Sequence, residues 1–166
     1  MYQVGDKVVY PVHGAGVVEA IESREIGGLT RDCYILNLPF CGLRVTVPIT
    51  AADQLGLREM MSTGEAGRVL DILEGVETAR QTQLPDKWNH RFRLLVDKIK
   101  GGDVVELAQI VHNLAERERK KPLASGEKRL YEQAREILFS ELWLLKREAE
   151  AAVLAPRIDE ILREVE

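Results

Sequence analysis

The stretch from Val8 to Ile21, VVYPVHGAGVVEAI, decides how the N-terminal part of the chain folds. Two runs of strand-forming residues flank a short segment that contains His13, Gly14 and Gly16. Glycines between two such runs allow the chain to reverse and let backbones approach closely. The stretch therefore predicts two antiparallel strands that pack inside a small β-barrel.

The same glycines do not fit a nucleotide-binding loop. Such a loop lies between a strand and a helix, because the amides at the helix N-terminus must face the phosphate. Here Gly16 precedes VVEAIE, which is a strand by residue type, and Glu19 occupies the place of the third glycine of a dinucleotide fingerprint. No lysine follows as it would in a Walker motif. The glycines are therefore interpreted as turn and packing positions.

The region up to residue 58 consists of short strand-forming runs separated by turn residues, without a helical segment between them. Gly27 and Gly28 lie between two such runs and predict a two-residue hairpin turn. Apolar and polar residues alternate within Leu43–Pro48, as in a strand with one buried face. We expect residues 1–58 to form a small antiparallel barrel of the SH3-like or Tudor-like type.

Beyond this boundary the apolar residues follow the period of an α-helix. We expect residues 59–166 to form an all-α domain of about five helices, so that the whole chain is an α+β protein. Ser62 and Glu65 have the spacing of a capping box at the start of the first helix. The later helices are predicted to begin at Pro85-Asp86, near Asp103, at Ser125 as the capping residue, and at Pro156.

Residue types that carry catalysis or bind metals are few and scattered. His13, His90 and His112 lie far apart in the sequence. Cys33 and Cys41 are too few for a disulfide framework, and neither has a second ligand at the short spacing of zinc sites. No nucleophile is followed by an evident base. We expect no enzymatic activity, no metal site and no cofactor.

The charge of the chain is unevenly distributed. The net charge is −4, but Pro85 to Arg129 holds eleven Lys and Arg against seven Asp and Glu, a local balance of +4. Such a segment is typical of a surface that faces phosphates, although helix surfaces are also normally charged. The sequence contains no apolar run near the ~20 residues of a membrane span and no signal peptide, so a cytoplasmic location is expected.

Three stretches resemble the CarD/CdnL family of bacterial transcription factors. They are VGDKVVYPVHGAGVVEAIE from Val4, LPDKWNHRFR from Leu84 and SGEKRLYEQAREIL from Ser125, in the order found in the family. The resemblance implies a Tudor-like domain that binds the β subunit of RNA polymerase, partly by strand pairing. It also implies a helical domain that contacts promoter DNA at the upstream fork of the bubble and stabilises the open complex.

The resemblance also implies which residues contact DNA. Trp88 falls at the position of a tryptophan that wedges into the minor groove. Arg91 and Arg93 match the basic cluster that follows it, and Lys128 matches a basic residue that supports DNA contact. His90 stands where a basic residue is common. Because a neutral histidine carries no charge, its phosphate contact would be weaker there.

For the polymerase contact, the resemblance implies two positions in the barrel. Arg24 matches an arginine that contacts the polymerase. Thr46 stands where some family members have a second arginine. Arg44 lies two residues away on the same face of the strand and could take over that contact.

Trp88 by itself allows two interpretations. Its spacing to Phe92, Leu95 and Ile99 places it on the apolar stripe of a helix, as expected for a packed tryptophan. Its position in the first turn, among cationic neighbours, is what a minor-groove wedge requires. The family resemblance favours the wedge.

Two other functions stay open at this point. A KOW-type module for RNA or ribosome contact, with the helices as an adaptor for another protein, predicts RNA preference and no effect on promoter melting. A pure protein–protein adaptor predicts that replacing Arg91, Arg93 and Lys128 leaves the function intact. The expected partners are the RNA polymerase β subunit and promoter DNA. The protein is expected to be a monomer that binds DNA weakly and with little sequence preference.

Overall fold

The structure is a computed structural model that describes residues 1–76 and 87–163, apart from the side chain of Trp88. An antiparallel sheet comes first and a set of helices follows, which confirms the predicted α+β class. The strands are β1 (Lys7–Tyr10), β2 (Gly14–Ile26), β3 (Leu29–Leu38), β4 (Leu43–Pro48) and β5 (Arg58–Glu59). The helices are α1 (Thr63–Leu73), α2 (Trp88–Lys100), α3 (Val104–Lys120), α4 (Ser125–Leu145) and α5 (Ala155–Arg163).

The five strands form one sheet in the order β4-β3-β2-β1-β5. Gly27 and Gly28 join β2 to β3 as a two-residue turn with φ values of 60° and 81°, as predicted. The pairing of β2 with β3 shifts between Val18 and Ala20, which makes Glu19 a bulge. In the part of the chain that is described, β4 and β5 do not pair with each other. Closure of the sheet into the predicted barrel is therefore not detected in these residues.

The two faces of the sheet have different surroundings. One face carries the sheet's own core, which includes Tyr34, Leu36 and Val47. On the other face, Val9 and Ala15 pack into the core of the helices. The division into residues 1–58 and 59–166 stays a prediction, and β5 lies across it.

The helices begin largely where the sequence indicates. Ser62 and Glu65 form the predicted capping box of α1, and Asp103 caps α3 by accepting hydrogen bonds from two backbone N–H groups. Pro156 lies in the first turn of α5. The predicted start at Pro85-Asp86 lies outside the described residues.

Two predictions about helices are wrong. Ala124, not Ser125, is the N-cap residue of α4, and Ser125 makes no capping hydrogen bond because it is already the first helical residue. Phe92 was expected in the buried stripe of α2 but is 38% exposed, whereas Leu95 and Ile99 are buried. Burial begins at Leu95 because only the second half of α2 packs deeply against the helices.

The stretch from Gly14 to Gly16 packs tightly against α4. Ser140 of α4 is fully buried; its Oγ accepts a hydrogen bond from the Ala15 N–H at 2.9 Å and donates one to the Ile137 carbonyl at 2.7 Å. Gly14 has a φ of 112°, and a Cβ there would overlap Ser140 Oγ. A Cβ on Gly16 would overlap the backbone of β3. The stretch is thus a turn and packing site, as interpreted from the sequence.

Substituting Gly14 with alanine is expected to destabilise the fold by about 3 kcal/mol, because an unfavourable φ and a steric overlap with Ser140 add together. Gly5 is the matched control: its φ is 96°, and nothing lies within 4 Å of the position that a Cβ would take there. Gly5→Ala should therefore cost only about 1 kcal/mol. Urea denaturation of both variants measures the difference. Equal losses would show that the overlap with Ser140 contributes nothing.

Candidate functional site

The start of α2 exposes several polar side chains around the predicted wedge position. His90 and Arg93 are exposed, and no side chain from 89 to 94 is buried. Trp88 is the first residue of the helix, and its side chain lies outside the described part of the chain. The structure therefore places the predicted wedge residue at an exposed helix end and leaves the insertion itself a prediction.

Glu127 links this helix end to the rest of the domain. Its side chain is only 2% exposed although it lies in the first turn of α4. Its carboxylate is 2.5 Å from Nε of Arg91 on α2 and 3.2 Å from Nη2 of Arg117 on α3. The three helices meet at this carboxylate. The role of Glu127 was not recognised in the sequence, because its partners lie on two other helices.

The ion pair separates Arg91 from the other predicted DNA contacts. The Arg91 side chain is 23% exposed and lies against Glu127, whereas Arg93 and Lys128 are exposed. Lys128 directly follows Glu127 in α4, so the contact between Arg91 and Glu127 brings Lys128 close to the start of α2. We define the cationic end as His90, Arg93 and Lys128.

The predicted polymerase-binding residues share one face of the sheet. Thr46 pairs with Ile35, which in turn pairs with Ala20. Side chains alternate between faces along a strand, so Arg24, four residues after Ala20, lies on the face of Thr46. Arg44, two residues before Thr46, lies there as well. The side chains of Arg24, Arg44 and Thr46 are exposed, and we call the face that they share the arginine face.

Local ion pairs orient both predicted arginines. Arg24 contacts Glu22 at 2.6 Å, and Arg44 contacts the bulge residue Glu19 at 2.8 Å. Arg31, which lies directly opposite Arg24 in the register of β2 and β3, adds a further exposed cation. Arg31 was not recognised in the sequence, although the predicted two-residue turn at Gly27 and Gly28 is enough to place it opposite Arg24. The arginine face therefore holds three arginines, two with acidic neighbours.

Strand β4 has a free edge beside this face. It is the outermost strand of the sheet, and no other strand in the described regions pairs with its outer side. A free strand edge presents backbone N–H and C=O groups that can pair with a strand of another protein.

The cysteines do not form a reactive or metal-binding site. Cys33 is buried. The single S–H of Cys41 is shared between two acceptors, the His13 carbonyl at 2.9 Å and the Glu136 carboxylate at 3.2 Å. Burial raises the pKa of Cys41 to about 12, helped by its hydrogen bond to the nearby Glu136 carboxylate. Residues 1–76 and 87–163 contain no cluster of His, Cys, Asp or Glu that could hold a metal ion.

Cys41 is therefore expected to react slowly with thiol reagents. Because its pKa is raised, almost no thiolate is present at pH 8, and alkylation should be roughly a hundredfold slower than that of an exposed cysteine. Iodoacetamide labelling of a Cys33→Ala variant, in which Cys41 is the remaining cysteine, measures the rate. Glu136→Ala should accelerate labelling, and urea should restore the ordinary rate. Fast labelling of the folded protein would contradict the assigned environment of Cys41.

None of the helices in the described ranges combines the length and apolar character that crossing a membrane requires.

Comparison with known proteins agrees with the fold and with the order of the motifs. A model of the CarD-like/TRCF RID domain matches residues 2–61, and a model of the C-terminal domain of CarD matches residues 68–155. The chain belongs to the CarD family. YdeB of Bacillus subtilis (strain 168), whose name describes it as a candidate transcription factor, is 32% identical over 146 residues, which cover 88% of this chain and 93% of YdeB.

Membership of this family settles the general class of the protein. CarD proteins are transcription regulators without enzymatic activity, and the RID domain is an RNA polymerase-interacting domain. This CarD-family chain is accordingly a transcription factor rather than an enzyme, as expected from the absence of catalytic motifs in its sequence. The arginine face and the β4 edge lie within the RID match, and the cationic end lies within the match to the C-terminal domain.

Proposed function

We propose that this CarD-family chain binds the β subunit of RNA polymerase through its sheet and stabilises the open promoter complex through its helices. The observation that carries the proposal is the combination of a polymerase-interacting domain with a helical domain that exposes a cationic end beside Trp88. The sheet anchors the protein, and the helices contact DNA at the upstream edge of the bubble.

The anchoring step uses the arginine face and the free edge of β4. A strand of the polymerase pairs with the β4 edge, and main-chain hydrogen bonds supply part of the affinity. Arg24 and Arg44 contact acidic groups beside that strand. Thr46 is exposed between them and contributes no charge, so Arg44 replaces the arginine that some family members carry at the position of Thr46.

The DNA step uses the cationic end and Trp88. Arg93 and Lys128 hold phosphates, and their contribution depends on counterion release and therefore falls with salt. The neutral His90 adds a weaker contact by hydrogen bonding. The indole of Trp88 inserts into the minor groove at the junction of duplex and bubble. Unstacking a base step costs a few kcal/mol, so the isolated protein binds intact duplex weakly. Anchoring on the polymerase raises the local concentration and offsets this weakness.

The effect on transcription initiation follows from differential binding. A ligand shifts an equilibrium only as far as its affinities for the two states differ. At a melted junction the tryptophan meets a base step that is already open, whereas in the closed complex it must unstack one. The protein therefore binds the open complex more tightly and increases its population.

Permanganate reactivity of unpaired thymines tests the proposal at equilibrium. Bacterial RNA polymerase holoenzyme on a ribosomal RNA promoter should show a larger melted fraction when the protein is added. An Arg93→Ala/Lys128→Ala variant should lose most of this increase, and Arg163→Ala, which removes an exposed cation from α5, should retain it. A preference for RNA without increased melting would favour the KOW-type adaptor. Full activity of the double variant would favour a pure protein–protein adaptor.

A further inference from the structure

The buried carboxylate of Glu127 has no place among the docking and DNA contacts just described. It lies in the first turn of α4, where glutamates are usually exposed to solvent and favoured by the helix dipole. Here the side chain is buried, and arginines from two other helices approach it at 2.5 Å and 3.2 Å. Burying a carboxylate carries a desolvation penalty that even a good ion pair does not always repay. A well-packed apolar residue would serve stability as well, so the ion pair is better explained by the geometry it imposes.

The first half of α2 has little packing to hold it in place. The second half is held by the buried side chains of Leu95 and Ile99, but residues 89–94 contribute no buried side chain. Arg91 lies in this first half, three residues, or about one helical turn, after Trp88. Its ion pair with Glu127 joins this turn of α2 to the start of α4.

We propose that Glu127 is a positioning residue that fixes the Trp88 end of α2 relative to Lys128, with Arg91 as its partner. This inference rests on the proposed function, because it assigns Trp88 and Lys128 to one DNA-binding surface. It changes the role of Arg91: the guanidinium orients α2, and contact with phosphates is left to His90, Arg93 and Lys128. Arg117 completes the site from α3 and lowers the cost of burying the carboxylate.

The first test compares Glu127→Gln with Glu132→Gln, which removes the same charge from an exposed position of α4. Affinity for the polymerase should be unchanged in both variants, because the docking sheet is intact. Glu127→Gln should lose about fivefold or more of the extension of open-complex lifetime, within the ordinary range of coupling between sites. Glu132→Gln should retain the extension. Equal lifetimes for the two variants would overturn the proposal.

The second test separates positioning from phosphate contact. In the double variant Arg91→Met/Glu127→Leu an apolar pair replaces the ion pair, and such replacements often preserve folding. If Glu127 and Arg91 act by positioning α2, this variant should extend the lifetime more than Arg91→Met alone. If Arg91 instead contacts phosphate, the double variant should be as defective as Arg91→Met, and that result would overturn the proposal.

A third measurement does not depend on the polymerase. The chain has two tryptophans, so time-resolved fluorescence anisotropy in a Trp143→Phe background reports on Trp88 alone. Glu127→Gln should increase the local rotational freedom of Trp88, and Glu132→Gln should not. Unchanged anisotropy in Glu127→Gln would overturn the positioning role. If the anisotropy changes but the wild-type protein does not extend the open-complex lifetime, the proposed function fails and the structural role of Glu127 stands.

Discussion

Replacing Arg58 with methionine is expected to lower the free energy of unfolding by about 3–5 kcal/mol. Glu141 of α4 is fully buried, and its carboxylate accepts hydrogen bonds from Arg58 Nη1 at 3.0 Å and Nη2 at 2.7 Å. The backbone N–H of Met61 donates a third at 2.5 Å. Removing Arg58 leaves a buried carboxylate without its main counter-charge. Urea denaturation measures the loss.

Two further variants show whether the buried charge is the cause. Arg58→Met/Glu141→Leu removes both charges and should recover the part of the loss that comes from the unpaired charge. A deficit of about 1–3 kcal/mol should remain, because the Met61 N–H no longer has an acceptor. Arg24→Met breaks an exposed ion pair with Glu22 and should change stability by less than about 1 kcal/mol. An Arg58→Met variant as stable as Arg24→Met would contradict the prediction. Because Arg58 belongs to β5, this ion pair also fixes the docking sheet to the helices.

Trp88→Ala is expected to remove most of the effect on the open complex while leaving polymerase affinity unchanged. Stacking of a base on an aromatic ring is worth about 1–3 kcal/mol, which corresponds to a loss of stabilisation of about 5- to 150-fold. A 2-aminopurine probe at the upstream edge of the bubble reports the contact. Wild-type protein should change its fluorescence, and Trp88→Ala should not.

The second tryptophan provides the matched control. Trp143 of α4 packs against Phe40, with a ring separation of 5.9 Å, and Arg147 lies over its face at 3.9 Å. Trp143→Phe should leave the 2-aminopurine signal in place. Trp88→Phe should retain part of it, because an aromatic ring remains. A signal that survives Trp88→Ala would show that another group contacts the fork.

Local features of the fold could be predicted from the sequence because they depend on neighbouring residues. The turn at Gly27 and Gly28, the capping box of α1 and the cap at Asp103 are all set by residues within one turn of the chain. The contact between Ala15 and Ser140 could not be predicted, since 125 residues separate the two. Phe92 was misplaced for a related reason: periodicity identifies an apolar stripe but not how much of it another helix covers.

In the candidate site, too, relations between nearby residues could be predicted from the sequence, whereas contacts between distant residues could not. Strand alternation predicted that Arg44 and Thr46 share a face, and the register shows that Arg24 lies on it too. Arg31 was missed even though the predicted turn at Gly27 and Gly28 pairs it with Arg24. The largest difference concerns Arg91, which the family resemblance assigns to DNA and which the structure places against the buried Glu127. Two helices must pack before that contact exists.

The most direct test of the proposed function is the lifetime of the open complex formed by bacterial RNA polymerase holoenzyme on a ribosomal RNA promoter. The complex is challenged with a competitor, with and without this protein, at concentrations that saturate the polymerase. The proposed function predicts a longer lifetime with the wild-type protein and the loss of most of this extension with Trp88→Ala. An unchanged lifetime, with the wild-type protein bound to the polymerase, would contradict it.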